Sequence, residues 1–192
     1  MIAGHFGLAA GVKGVERQVP LWALMLATVW LDIVFVPLFV AGIETAETIN
    51  GGGYGKSIIH ADYTHSLVGA LVLSAIFGAA AMFRWSSRTG FVLGAVAFSH
   101  WVLDLIVHRS DLPILPGNAG NLPLVGFGLW RSTPSSAVAE LVLVVAGSYL
   151  YWRAAEDVSR SAGNPTRRRA RILGVAMLGA GLLTLLVDVL IG

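Results

Sequence analysis

In the stretch Ser99-His100-Trp101-Val102-Leu103-Asp104-Leu105-Ile106-Val107-His108, two histidines and an aspartate recur at i, i+4 and i+8. On a helix each four-residue step advances only about 40°, so His100, Asp104 and His108 project from one face. Imidazole nitrogen beside carboxylate oxygen suits a divalent cation, Zn²⁺ foremost, at about 2.0–2.2 Å. The competing reading is a buried His–Asp hydrogen bond, which needs no ion. Cysteine is absent, so disulfides and thiol catalysis are excluded and any metal is held by imidazole and carboxylate alone. A second cluster, His60-Ala61-Asp62-Tyr63-Thr64-His65-Ser66, opens another apolar run. His65 begins that run, whereas His60 reads as a solvated loop residue.

Other ionisable groups interrupt apolar stretches singly: His5, Asp32, Glu140 and Asp188. A carboxylate near a bilayer centre costs about 2.5–3.5 kcal/mol, so such acids face one another or a wet cavity. The bland alternative for any one of them is polar glue between helices.

The elements that must position these groups follow from composition. The 192 residues are 56% hydrophobic and 12% charged, with a mean hydropathy of +0.75. A soluble domain carries about 25% charged residues. We expect an all-α integral membrane protein, one helical bundle over residues 1–192 with neither a repeat nor a second domain. Five transmembrane helices are predicted at about 20–41, 64–85, 90–108, 134–152 and 171–191, each about long enough to cross 30 Å at 1.5 Å per residue. The stretch 2–12 is too short to cross and predicts a half-membrane helix broken by Gly11 and Gly14. It lacks the basic segment that opens a cleavable signal peptide.

Lys13, Arg17, Arg84, Arg88, Arg153, Arg160, Arg167, Arg168, Arg169 and Arg171 fall on one side of these spans, and Lys56, Arg109 and Arg131 on the other. Basic residues concentrate in cytoplasmic loops. This bias predicts a bacterial-type inner-membrane protein with its basic loops cytoplasmic, and with loops 42–64 and 109–133 and the C-terminus outside. The basic run at 167–171 then reads as a topogenic, lipid-facing segment, and no nucleic-acid partner is expected. Measured from the inner helix ends, Asp32 rises roughly 18 Å, His5 and His100 roughly 14 Å, and Asp104 and Glu140 roughly 20 Å, which is one layer outside the midplane. Asp188, at roughly 24 Å, is the outlier. Gly51-Gly52-Gly53-Tyr54-Gly55-Lys56-Ser57 ends like a phosphate-binding loop, but Asn50 stands where the first glycine is needed. With no preceding strand expected, a flexible loop is the sufficient reading.

Several of these motifs together carry a resemblance. Gly4-His5-Phe6-Gly7-Leu8-Ala9, Asp32, Tyr63-Thr64-His65-Ser66-Leu67, the Ser99–Gly117 stretch, Gly128-Leu129-Trp130-Arg131-Ser132 and Glu140 resemble the YdjM-like membrane-bound metal-dependent hydrolases. The match covers most of residues 4–150. The order His, Asp, His, His-x-x-x-Asp, His, Glu is also distantly similar to zinc-dependent phospholipase C. The resemblance implies His5, Asp32, His65, His100, Asp104, His108 and Glu140 as metal ligands. The chain has only His60 to spare, which implies one or two ions, most readily Zn²⁺, rather than a trinuclear cluster.

The implied activity is hydrolysis of a phosphoester or lipid-like substrate reached from the outer half of the bilayer. In it a metal acidifies water and polarises the substrate oxygen. Asp32 or Glu140, whichever is not a ligand, is the expected general base, and His108 the expected proton carrier. Asp62 and Asp111 are the expected acceptors behind the histidines, and Arg109 and Arg131 could hold a substrate phosphate. Two other classes stay open: a small transporter or proton- or cation-conducting protein, and a non-catalytic accessory subunit of a membrane complex.

Overall fold

The fold is taken from a computed structural model that describes residues 1–49, 51–162 and 165–191; for 161, 162, 165–168 and 191 it describes the backbone alone. Asn50, and the side chains of Arg167 and Arg168 in the basic run, lie outside the described residues. The chain is mostly helical: α1 (Ile2–Val15), α2 (Leu21–Thr28), α3 (Trp30–Val40), α4 (Leu67–Arg84), α5 (Ser87–Val107), α6 (Thr133–Ala162) and α7 (Pro165–Ile191). Two short strands, β1 (Thr45–Thr48) and β2 (Ser57–His60), join α3 to α4.

Helices α4, α5, α6 and α7 are long and apolar enough to cross a membrane. The fifth expected span is a pair, α2 and α3, bent by 45°. The bend falls at Val29 (φ −114°, ψ 13°), just after Thr28 turns its hydroxyl back on the Met25 carbonyl at 2.8 Å. A threonine bonding its own preceding turn loosens and bends a helix. Hydropathy averages over such a break, so a single span over 20–41 was the natural expectation.

Helix α1 runs through Gly11 and Gly14 instead of breaking there. Those glycines serve packing. A Cβ on Gly14 would lie 2.7 Å from the Leu150 carbonyl oxygen, one on Gly7 2.6 Å from the Leu143 backbone, and one on Gly147 would strike the Gly7 carbonyl. Small residues on both sides let α1 and α6 approach backbone to backbone. This lays His5 deep in the molecule. Ala9 of α1 then packs with Ala23, Leu24 and Ala27 of α2 and with Leu93, Val96 and Ala97 of α5.

Two connections differ from expectation. The polar stretch after residue 152 continues α6 to Ala162, where Arg17 beyond the end of α1 pairs with Asp157 at 2.8 Å. The glycine-rich 51–57 stretch forms the turn, and at Ser57 enters the second strand, of an antiparallel hairpin with register Thr45↔His60 to Thr48↔Ser57. Threonine and isoleucine favour the strands, and Gly51, Gly52, Gly53 and Gly55 all take positive φ between them. Ser66 and Ser86 start α4 and α5 by accepting the backbone N–H of Gly69 and Thr89.

Candidate metal centre

Four segments deliver six groups. His5 comes from α1, Asp32 from the first turn of α3 after the bend, and His65 from the residue before the Ser66 cap of α4. His100 and Asp104 lie one turn apart on α5, and His108 caps its C-terminus. Together with Phe35, Val36, Ile59 and Trp130 they line a cavity of about 360 Å³. The four histidines and Asp104 are buried, while the Asp32 side chain is 43% exposed.

The i, i+4 geometry read from the sequence is present. His100 Nε2 lies 3.0 Å from Asp104 Oδ2, and His108 Nε2 lies 3.9 Å from the same oxygen. Across the cavity, His65 Nε2 lies 3.2 Å from His100 Nε2, 3.5 Å from Asp32 Oδ1 and 3.6 Å from Asp104 Oδ2. His100 Nε2 also lies 3.5 Å from Asp32 Oδ1, and His5 Nε2 lies 3.3 Å from Asp104 Oδ1. Among the described residues, His5, His100 and Asp104 form one group that could hold a metal ion, and Asp32, His65 and His100 a second.

What stands behind each ring determines which nitrogen is free. His100 Nδ1 meets the Thr28 carbonyl oxygen at 2.6 Å, at the bend between α2 and α3. His108 Nδ1 meets Asp111 Oδ1 at 3.0 Å, while Asp111 Oδ2 accepts the Ile59 backbone N–H from β2. His65 Nδ1 meets Thr64 Oγ1 at 2.9 Å, and that hydroxyl donates to Glu44. Carbonyl and carboxylate oxygens only accept, so the ring proton of His100 and of His108 belongs on Nδ1. In the neutral rings, Nε2 then presents a bare lone pair, the form that binds metal.

His65 Nε2 and His100 Nε2 thus converge with Asp32 Oδ1 and Asp104 Oδ2, each imidazole nitrogen within 3.6 Å of both carboxylate oxygens. Converging lone pairs and carboxylates repel unless a cation lies among them. The donor set, imidazole with carboxylate and no thiolate, fits a borderline divalent ion. His5 stacks on His100 at 4.1 Å, and its buried Nδ1 has no hydrogen-bond partner.

Other candidates lie elsewhere. Glu140 is fully buried, but it does not line this cavity: Oε2 accepts the Gly4 N–H at 2.9 Å and Oε1 accepts the Tyr54 hydroxyl. It holds the first turn of α1 and the hairpin tip. Burial, reinforced by that bond to Glu140, pushes the Tyr54 phenol above its ordinary range. Arg109 donates to the Gly55 and Trp130 carbonyls at 3.3 and 3.1 Å, which ties the hairpin to the 129–131 turn. Arg131 is exposed, and Asp188 is half-buried on α7 outside the cavity. His60, half-buried in β2, faces Glu47 at 3.5 Å. Asp111 backs His108 as expected; Asp62 receives the Gly117 N–H on its backbone carbonyl.

Glu44 was not anticipated. It is fully buried, and its carboxylate accepts from Tyr63 N, Thr64 N and Thr64 Oγ1. Nothing in local spacing marks it, because its partners lie about twenty residues onward. No protein-family model, characterised protein or solved structure matches the chain.

Proposed function

We propose that this is an integral membrane metal-dependent hydrolase of the YdjM-like kind, acting on a phosphoester or lipid-like substrate from the outer half of the bilayer. The observation that carries the reading is the convergence of two imidazole Nε2 atoms, 3.2 Å apart, on carboxylate oxygens of Asp32 and Asp104. Asp32, His65 and His100 would hold one divalent ion, and His5, His100 and Asp104 are the residues that would hold a second. Zn²⁺ is the preferred ion for that donor set.

The chemistry a bound ion supplies is Lewis-acid polarisation of the substrate and acidification of water. With both oxygens of Glu140 occupied, Asp32 would serve as ligand and base together, Oδ1 facing the imidazoles and the second oxygen of its part-exposed carboxylate accepting the proton from the attacking water. His108, held by Asp111 at Nδ1 and lying outside those ligand groups, has a free Nε2 that would take up a proton from water and pass it to the leaving oxygen. Phe35, Val36 and Ile59 supply the apolar wall along which a lipid-like substrate lies.

The test is hydrolysis of phosphodiester and phosphomonoester lipids in vesicles holding the purified protein. Zinc-dependent release that falls at least a hundredfold in His100→Ala and Asp104→Ala supports the reading. Proton or metal flux without hydrolysis favours a transporter and overturns it.

A further inference from the structure

We infer that Glu44, acting through Thr64, is a positioning residue that sets the tautomer of His65 and leaves its Nε2 free for a metal. The importance of this relay rests on the metal reading above, although the relay itself does not.

Of the three histidines with a partner behind the ring, only His65 has one whose direction is ambiguous. A threonine hydroxyl can donate or accept. If it donated to Nδ1, the ring proton would move to Nε2, where it would point at His100 and block metal binding. Glu44 removes the ambiguity. Its Oε1 accepts the Tyr63 and Thr64 backbone N–H groups, both at 2.8 Å, which fixes the carboxylate in place. The Thr64 hydroxyl lies 2.9 Å from Oε2 and 3.1 Å from Oε1. Its single proton therefore goes to Glu44, and its oxygen must accept from His65 Nδ1, 2.9 Å away.

The surroundings make this arrangement rigid. Glu44 and Thr64 are almost completely buried, at 0% and 1% exposure, so water does not offer either of them a competing partner. The His65 carbonyl accepts the Trp101 indole N–H at 2.8 Å, which holds the backbone that carries the ring. Glu44 follows the end of α3, where its backbone N–H reaches back to the Leu38 carbonyl. The segment that follows α3, the helix carrying Asp32, thereby sets the protonation pattern of a histidine that faces Asp32.

The test reads the relay and its consequence separately. In metal-free wild-type protein with ¹⁵N-labelled histidine, the His65 nitrogen shifts, assigned by their loss in His65→Gln, report the tautomer. The proton is expected on Nδ1; a proton on Nε2 overturns the proposal whatever the metal content. Thr64→Val keeps the backbone N–H that holds Glu44 and removes only the hydroxyl, whereas Thr64→Ser keeps both. Affinity for Co²⁺, followed by its visible absorption, should fall about 10- to 100-fold in Thr64→Val and in Glu44→Gln and stay near wild type in Thr64→Ser. Thr64→Val binding Co²⁺ as tightly as Thr64→Ser contradicts the relay. Wild type that binds no Co²⁺ but carries the Nδ1 proton removes the metal reading and leaves the relay standing.

Discussion

The Nε2 atoms of His65 and His100 face each other at 3.2 Å, and each also faces Asp32 Oδ1 at 3.5 Å. The two rings come from opposite sides of the cavity, one from the start of α4 and the other from the middle of α5. Two such nitrogens share a proton or a cation, or they move apart. The anchored Nδ1 of His100 and the Glu44–Thr64 relay behind His65 favour the cation, and the consequences can be measured.

Binding should stabilise the folded protein. An ion that binds the native site and not the unfolded chain contributes about 2.7 kcal/mol at a concentration a hundredfold above its dissociation constant. Thermal unfolding in detergent should therefore rise by several degrees on adding Zn²⁺ and fall on adding a chelator. In Asp104→Asn the two curves should coincide.

Glu140→Gln should retain metal. Its carboxylate is occupied by Gly4 N and the Tyr54 hydroxyl, so the substitution disturbs the entry of α1 and not the cavity. Zinc content within about twofold of wild type is expected, alongside a stability loss of about 1–3 kcal/mol from the imperfectly satisfied buried pair. Loss of all zinc in a well-folded Glu140→Gln protein would restore this residue to the ligand set.

Tyr54 gives the fold an alkaline limit. Burial first, and the bond to Glu140 second, raise its phenol above the ordinary tyrosine value of about 10. The folded state thus favours the neutral phenol, and that stability is fully present below the unfolded value, about pH 10, and is lost as pH rises further. Unfolding followed by circular dichroism should show declining stability above that pH. Tyr54→Phe should be less stable near neutrality but should lack that part of the decline.

Gly147→Ala should separate α1 from α6. Its Cβ would strike the Gly7 carbonyl, and a clash against backbone relaxes only by moving a helix, costing about 1–3 kcal/mol or more. His5 rides on α1, so zinc affinity should fall together with the unfolding temperature. Gly179→Ala, where a Cβ meets nothing within 4 Å, is the matched control.

The helical spans and the His100–Asp104–His108 face were legible because each rests on local periodicity. Hydropathy marks a buried run, and 3.6 residues per turn places i and i+4 together. The bend at Val29 was not legible, since it depends on the Thr28 hydroxyl turning inward within an otherwise apolar run. The hairpin was hidden by its short strands and by turn glycines that read as flexibility. Glu140 lay at the right depth, but depth does not specify direction around the helix, and it faces α1 and Tyr54 instead of the cavity. Glu44 was the hardest to see, because its role arises only when the end of α3 meets residues 63–65.

The central claim is that the buried imidazoles and carboxylates hold a cation. Elemental analysis of detergent-purified wild type, prepared without chelator, tests it most directly beside Asp104→Ala and His100→Ala. One or two zinc or other divalent ions per chain in wild type, falling to near zero in both variants, is the predicted result. A wild-type protein that contains no divalent metal, and takes up none on dialysis against zinc, would contradict it.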